Sequence, residues 1–270
     1  MNSYCNYIKY TEHYLVLLIM LLLFLPKTYA TVNTSLHTTH HSFSIKSEAT
    51  RVIYPLSSAK GVSLSVTNPQ DYPILVQTQV KGEDKHSAAP FVVTPPLFRL
   101  DGGMRGQIRV IRTGGKFPQD RESLQLLCLT GGPPKGGDLW DNSSYEQKRN
   151  KDSKGINLDI RLSISTCMKL FIRPEQLKNK PEDVAGKLTW KYKGKILEVN
   201  NPTPFYMNFH SVYLGGKNID LFSADNKNYV APYSKKSFSF SSGTDLSGRE
   251  VAWEIINDYG GISKIFKAGI

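Results

Sequence analysis

Cysteine, helical periodicity and long apolar runs are all scarce in this chain. It holds three cysteines in 270 residues, and no two of them have the C-x-x-C spacing of a dithiol redox site. So few, widely separated sulfurs cannot make a structural zinc centre either. No G-x-S-x-G, H-E-x-x-H or phosphate-binding loop occurs, so no nucleophile, base or phosphate cradle stands out. Catalytic residues, cofactors and bound metals are therefore not expected. The one histidine cluster, His37, His40 and His41, has the donor chemistry of a metal site but reads as a polar arm near a chain end.

Leu15 to Leu25 is the only long apolar run, at eleven residues. That length falls short of a bilayer span and suits the h-region of a signal peptide, with Thr28 and Ala30 as the small residues of a cleavage site. Residues 1–30 are read as a signal peptide cut after Ala30, which exports a soluble mature chain. Cys5 leaves with it. Cys128 and Cys167 remain, and in an oxidising compartment one disulfide is their simplest fate. Closing a loop of about forty residues would stabilise the fold by roughly 3–4 kcal/mol on the chain-entropy model. The formal net charge is +11, but the basic residues are scattered and export argues against a nucleic-acid partner. Asn33 and Asn142 lie in N-x-[ST] sequons, which matter only in a eukaryotic secretory pathway.

What is present is β-structure. Short runs such as "VSLSVTN", "PILVQTQV", "FVVTPPLFRL", "QIRVIRT" and "LQLLCLT" alternate in polarity and are separated by Gly, Pro, Asn and Asp. Seven such strands precede a polar, Pro-flanked connector, "RPEQLKNKPEDV". A second set follows it: "KLTWKYK", "KILEVN", "FYMNFHSVYL", "KSFSFSS", "EVAWEII" and "ISKIFK". The pattern predicts an all-β chain of two immunoglobulin-like β-sandwich domains. The first is placed at residues 31–176, the linker at 177–184 and the second domain at 185–270. A long polar loop at about 130–155 interrupts the first domain, and loops of that length are usually functional or disordered.

One strand is longer than its fold requires. In "INLDIRLSISTCMKLFIR", Ile156, Leu158, Ile160, Leu162 and Ile164 recur at every second position, and Met168, Leu170 and Ile172 keep the same parity. Such a run extends over roughly 55 Å, against about 17–20 Å for an ordinary strand. Either it bends and stays buried throughout, or one part packs at home and the other offers its stripe to a partner. Burying five such side chains is worth about 8–15 kcal/mol gross, before ordering and association costs. Phe43 and Ile45 share the period of two and are expected to lie beside this strand and enlarge the same apolar surface. Arg51 and Lys169 would form a carboxylate site if they converge.

Five blocks, "FVVTPPLFRLDGG", "FPQDRESL", "KLFIRP", "NPTPFYMN" and "INDYGG", resemble the PapD-like periplasmic pilus-assembly chaperones, in order and across nearly the whole mature chain. The long loop and the cysteine pair resemble the subclass with a long loop between strands F and G, and within it the chaperones of pH 6 antigen and Myf-type fimbriae. The resemblance implies two sandwiches arranged in an L with a cleft between them. It implies a periplasmic chaperone without enzymatic activity that captures a fibre subunit one-to-one by donor-strand complementation and delivers it to an outer-membrane usher. Ile156, Leu158, Ile160, Leu162 and Ile164 would fill the subunit's groove, with Phe43 and Ile45 extending the contact. Arg51 and Lys169 would anchor the subunit's C-terminal carboxylate. Glu122, Arg173 and Asp258 would link the two domains, and Cys128 and Cys167 would tie strand F to strand G. Self-association of the free form would hide the stripe. The alternative is a secreted fibre subunit or adhesin that assembles with itself.

Overall fold

The structure is a computed structural model that describes residues 35–133, 155–193, 195–222, 227–239 and 250–270. The expected signal peptide, both sequon asparagines and most of the loop expected at 130–155 lie outside these residues.

Ten strands build the first sandwich. They are β1 (Ser35–Phe43), β2 (Lys46–Ser47), β3 (Arg51–Pro55), β4 (Val62–Thr67), β5 (Ile74–Gly82), β6 (Phe91–Thr94), β7 (Leu97–Leu100), β8 (Arg105–Arg112), β9 (Ser123–Gly132) and β10 (Gly155–Arg173). One sheet has the order β1-β10-β9-β5-β7, with β3 also paired to β10; the other has the order β2-β4-β8-β6. Alternation assigns the faces. In β5, Ile74, Val76, Thr78 and Val80 are buried while the residues between them reach solvent. Val66, Val76, Val110, Leu127, Leu129 and Leu170 meet between the sheets in one closed core.

The second sandwich opens with a helix of one turn, Pro181–Val184, and a 3-10 turn, Ala185–Lys187. Its strands are β11 (Thr189–Lys193), β12 (Ile196–Asn201), β13 (Met207–Leu214), β14 (Lys217–Asn218), β15 (Tyr229–Val230), β16 (Ser234–Ser239), β17 (Glu250–Ile255) and β18 (Phe266–Gly269). They form a β11-β12-β16 sheet and a β14-β13-β17-β18 sheet, with β15 on β13. The core is more aromatic than the first, with Trp190, Phe205, Phe209, Phe238 and Trp253 packed together. The chain is all-β, in two immunoglobulin-like sandwiches with a cleft between them.

Three local readings change. "FVVTPPLFRL" is two strands, because Pro95 and Pro96 have no N–H to give to a ladder. β6 pairs with β8 in one sheet and β7 with β5 in the other, so the prolines mark a crossing between sheets. "ISKIFK" begins as loop: Ser263 Oγ accepts the Ile255 N–H at 3.0 Å, and regular pairing with β17 starts only at Phe266. The histidine segment is no frayed arm, since His37, His40 and His41 lie in β1, opposite Asn157, Ile160 and Arg161 of β10.

Candidate functional site

The nineteen-residue strand β10 has two different halves. From Ile164 to Ile172 it pairs antiparallel with β9, and from Lys169 to Arg173 it pairs parallel with β3 on its other side. Here Met168, Leu170 and Ile172 are buried in the first core. From Gly155 to Ser163 it pairs only with β1, in parallel, so among the described residues the edge that β9 covers further in is open. On this outer half Leu158 is 45%, Leu162 53% and Ile164 38% exposed, and Ile160 is half-buried. The side chain of Ile156 lies outside the described residues. The strand does not stay buried along its length; its apolar parity passes from core to solvent near Ile164.

β1 lies beside this stripe, but Phe43 and Ile45 do not enlarge it. They are only 5% and 6% exposed, inside the first core. The cause is a change of sheet: β1 ends at Phe43, and β2 then pairs with β4 on the opposite side of the sandwich. The crossing chain carries both side chains into the open end of the core, where the Phe43 ring meets Tyr72 edge-on at 5.6 Å. The crossing is tight. A Cβ on Gly131 would come within 2.4 Å of the Phe43 carbonyl oxygen, so β9 needs glycine there.

From Lys169 onward the other parity of β10 faces the second domain. Cys167, Lys169 and Phe171 stand opposite Cys128, Leu126 and Leu124 of β9, and Lys169 is also level with Arg51 of β3. The two cations therefore share one surface at the cleft. Arg51 is 8% exposed. Its Nη1 donates to the Ile256 carbonyl at 2.9 Å, and its buried Nε donates to no acceptor among the described residues. Burial pushes the guanidinium below its ordinary range, partly offset by the charges of Asp258 and Glu122. Lys169 Nζ donates to Asn208 Oδ1 at 2.6 Å and Asn228 Oδ1 at 2.8 Å, and sits 4.5 Å from the centre of the Tyr229 ring. Burial, then the charges of Arg51 and Lys236, pull its pKa down to about 7, while Glu83 acts in the opposite direction. No carboxylate forms a salt bridge with either cation among the described residues. Two desolvated positive groups, one with an orphan N–H, have the chemistry to receive an anion.

A separate network joins the domains. Arg173 Nε donates to Glu122 Oε1 at 2.7 Å, while Nη1 and Nη2 donate to the two oxygens of Asp258 at 2.5 and 2.7 Å. Glu122 Oε2 accepts the Tyr206 N–H at 2.9 Å, so one carboxylate oxygen is satisfied within the first domain, by Arg173, and the other across the boundary. Burial pushes the Glu122 carboxyl up, against the Arg173 charge and the Tyr206 N–H. Burial also works against the Arg173 charge, but hydrogen bonds to Asp258 and the charge of Glu122 outweigh it and hold the guanidinium above its usual range. Beside the network, Leu124 and Phe171 of the first domain pack on Tyr206 and Tyr229 of the second. Glu83 accepts the Tyr229 hydroxyl at 2.6 Å and the Tyr206 hydroxyl at 3.3 Å. The "INDYGG" turn closes the boundary: Gly260 has φ +84°, and a Cβ there would strike Thr50 Oγ1 at 2.5 Å.

Cys128 and Cys167 are bonded directly across β9 and β10, 39 residues apart in sequence. The bond locks the register between Ile164, where the stripe emerges, and Lys169, where the strand enters the cleft. Replacing both cysteines by serine is expected to lower the stability of the first domain by roughly 3–4 kcal/mol. Urea unfolding checks it, the midpoint falling by that free energy divided by the m-value.

The structure thus gathers Arg51 with Lys169, Glu122 with Arg173 and Asp258, and Cys128 with Cys167. Asn208, Asn228, Glu83, Tyr206 and Tyr229 also line the cleft, and no sequence signal singled them out, although "NPTPFYMN" contains two of them.

Comparison with known proteins agrees with this architecture. A family model described as the PapD N-terminal domain of pili and flagellar-assembly chaperones matches residues 44–178. A second, the PapD C-terminal domain, matches residues 183–267. Chaperone protein MyfB of Yersinia enterocolitica is 60% identical over 267 residues, covering 98% of this chain and 97% of that protein. Chaperone protein PsaB of Yersinia pestis is 52% identical over 275 residues, covering 100% and 99%. Among solved structures, the Salmonella enterica SafB chaperone in complex with the SafA pilin superposes with a TM-score of 0.72 at 43% identity, covering 87% of this chain and 100% of the other. With both domain models in order and full-length relatives at this identity, the chain belongs to the PapD family of pilus-assembly chaperones, of the Myf and pH 6 antigen type, and is not an enzyme.

Proposed function

We propose that this chain is a periplasmic chaperone that captures fimbrial subunits, one to one, by donor-strand complementation and hands them to an outer-membrane usher. The observation that carries the reading is the outer half of β10, with an apolar stripe in solvent and an open strand edge among the described residues. A sandwich missing one strand would supply what this half lacks: backbone groups along the edge and pockets for alternate side chains. A pilin bound to a chaperone 43% identical to this chain supports a fibre subunit as the client. The apolar leader and the disulfide support the periplasm. The anion-poor pair Arg51 and Lys169 would take the subunit's C-terminal carboxylate, and Glu122, Arg173 and Asp258 would keep both halves of that site in place.

The test is capture of the subunit that co-purifies from the periplasm. Arg51→Ala and Lys169→Ala are each expected to reduce complex yield about tenfold or more, by removing a charge-assisted bond, with the free protein remaining folded. Unchanged yield in both sinks the anchor.

Capture should also depend on pH. Lys169 titrates near 7 in the free chain, and a bound carboxylate would favour its charged form and raise that value. Between the two values binding takes up a proton, so affinity is flat below about pH 7 and falls above it, by up to about tenfold per pH unit. Lys169→Arg, always charged, should remove the slope.

A further inference from the structure

The two cations of the cleft come from the first domain, yet their hydrogen-bond acceptors come from the second and carry no charge. Asn228 Nδ2 donates to the Phe209 carbonyl at 2.9 Å and Asn208 Nδ2 to the Tyr206 carbonyl at 3.4 Å. With each amide nitrogen spent on backbone, the oxygens are turned toward Lys169, at 2.8 and 2.6 Å. Both asparagines are themselves tied down: the Phe209 N–H donates to the Asn228 carbonyl and the Ile256 N–H to the Asn208 carbonyl, each at 2.7 Å. Ile256 in turn is the residue whose carbonyl receives Arg51. The Ile256–Asn208 backbone hydrogen bond therefore links the acceptor of Arg51 to one acceptor of Lys169. Asn208 is buried, so its placement is set by packing as well.

We infer that Asn208 and Asn228 are positioning residues of the carboxylate anchor, holding the Lys169 ammonium across the domain boundary by two neutral acceptors so that its charge stays available to the client. The inference rests on the anchor reading above. The chemistry explains why the acceptors are amides. An ammonium has three N–H donors; two go to the asparagines, which leaves one for a carboxylate. Aspartate in either place would satisfy the geometry but neutralise the charge and so act as a built-in competitor for the client's terminus. An alanine would strip an acceptor from a buried ammonium and leave its charge less supported. The surrounding charges do not substitute for the amides. Arg51 on β3, Lys236 on β16 and Lys227 near the Tyr229 ring are cations, and Glu83 is engaged by Tyr206, Tyr229 and Lys227.

The test is an NMR titration of the Lys169 side-chain signal in the full free chain, with acetate as the carboxylate probe. Asn228→Asp is expected to raise the titration midpoint by about one pH unit or more and to abolish the acetate-induced shift. Asn228→Ala is expected to lower the midpoint and to weaken acetate binding severalfold. Opposite movements of the midpoint with the same loss of acetate binding is a result that mere structural support would not produce. Asn208→Asp should repeat the first result, and the half-buried Asn228 keeps the test usable should the buried position fail to fold. Midpoints and acetate shifts that match the parental chain in both Asn228 variants would overturn the inference. An acetate-insensitive Lys169 in the parental chain would instead overturn the anchor reading, and the role of the asparagines with it.

Discussion

Leu162→Glu is expected to abolish the one-to-one complex with the subunit while leaving the free chaperone as stable as before. Leu162 is the most exposed side chain on the described part of the stripe, at 53%, and it belongs to no buried cluster of its own domain. A surface substitution of that kind changes stability by about 0.5 kcal/mol or less. In the complex the same position would lie in an apolar groove, and an unpaired carboxylate there costs several kcal/mol. That is a loss of about a thousandfold or more in affinity. Leu162→Ala, which removes packing without adding charge, should cost about 2–3 kcal/mol and leave a weakened complex. Size-exclusion of periplasmic extracts, with thermal melting of the free variants, separates the two. A full yield of complex from Leu162→Glu would show that the outer half of β10 is not the donor.

The contrast between Leu162 and Phe43 shows what periodicity can and cannot say. Both sit in period-two runs, and alternation announces only that a strand has an apolar face. Whether that face meets the chain's own core depends on where the strand stands in the sheet. β10 runs past the end of β9, so among the described residues nothing covers its outer stripe. β1 turns across the sandwich at Gly131, so Phe43 and Ile45 fall inside. The excess length of β10 was legible because length is a local property. Its two parities were legible in part: even positions as apolar, and Cys167, Lys169 and Arg173 as the odd ones. The family resemblance paired Arg51 with Lys169 and Arg173 with Asp258, although the partners lie far apart in sequence. Asn228 lay in no motif block, and Asn208 lay in one without a role attached to it. They are ordinary polar residues of a different sandwich, and only the docking of the domains brings them to Lys169. Pro95 and Pro96 were visible as breakers, but that the chain changes sheets there is a property of the whole topology.

Arg173→Ala is expected to be the most damaging single change at the domain boundary. The substitution leaves Glu122 buried with its Oε1 unpaired and removes both bonds to Asp258. Breaking one side of a buried ion pair costs about 3–5 kcal/mol, chiefly from the charge left behind. The loss should depend on pH, and its sign follows from Glu122. Burial already pushes that carboxyl above its ordinary value of 4.5, and Arg173 is the main force opposing the rise. Without Arg173 the folded state keeps a proton on Glu122 that the unfolded chain releases. Stability then falls as pH rises from about 4.5 through the raised folded value. The variant should therefore be closer to the parental chain at pH 5 than at pH 7.5. Glu122→Gln combined with Arg173→Met should recover part of the loss, since the most deeply buried carboxylate is then no longer stranded, while Asp258 stays without Arg173. Capture should fall in Arg173→Ala beyond the loss of fold, because Ile256 and Asn208, which hold Arg51 and Lys169, belong to the domain that Arg173 fixes. Urea unfolding at the two pH values, with subunit capture measured on the fraction that remains folded, tests both claims. Equal stability of Arg173→Ala and the parental chain at pH 7.5 would mean that the apolar seam of Leu124, Phe171, Tyr206 and Tyr229 orients the domains without the charges.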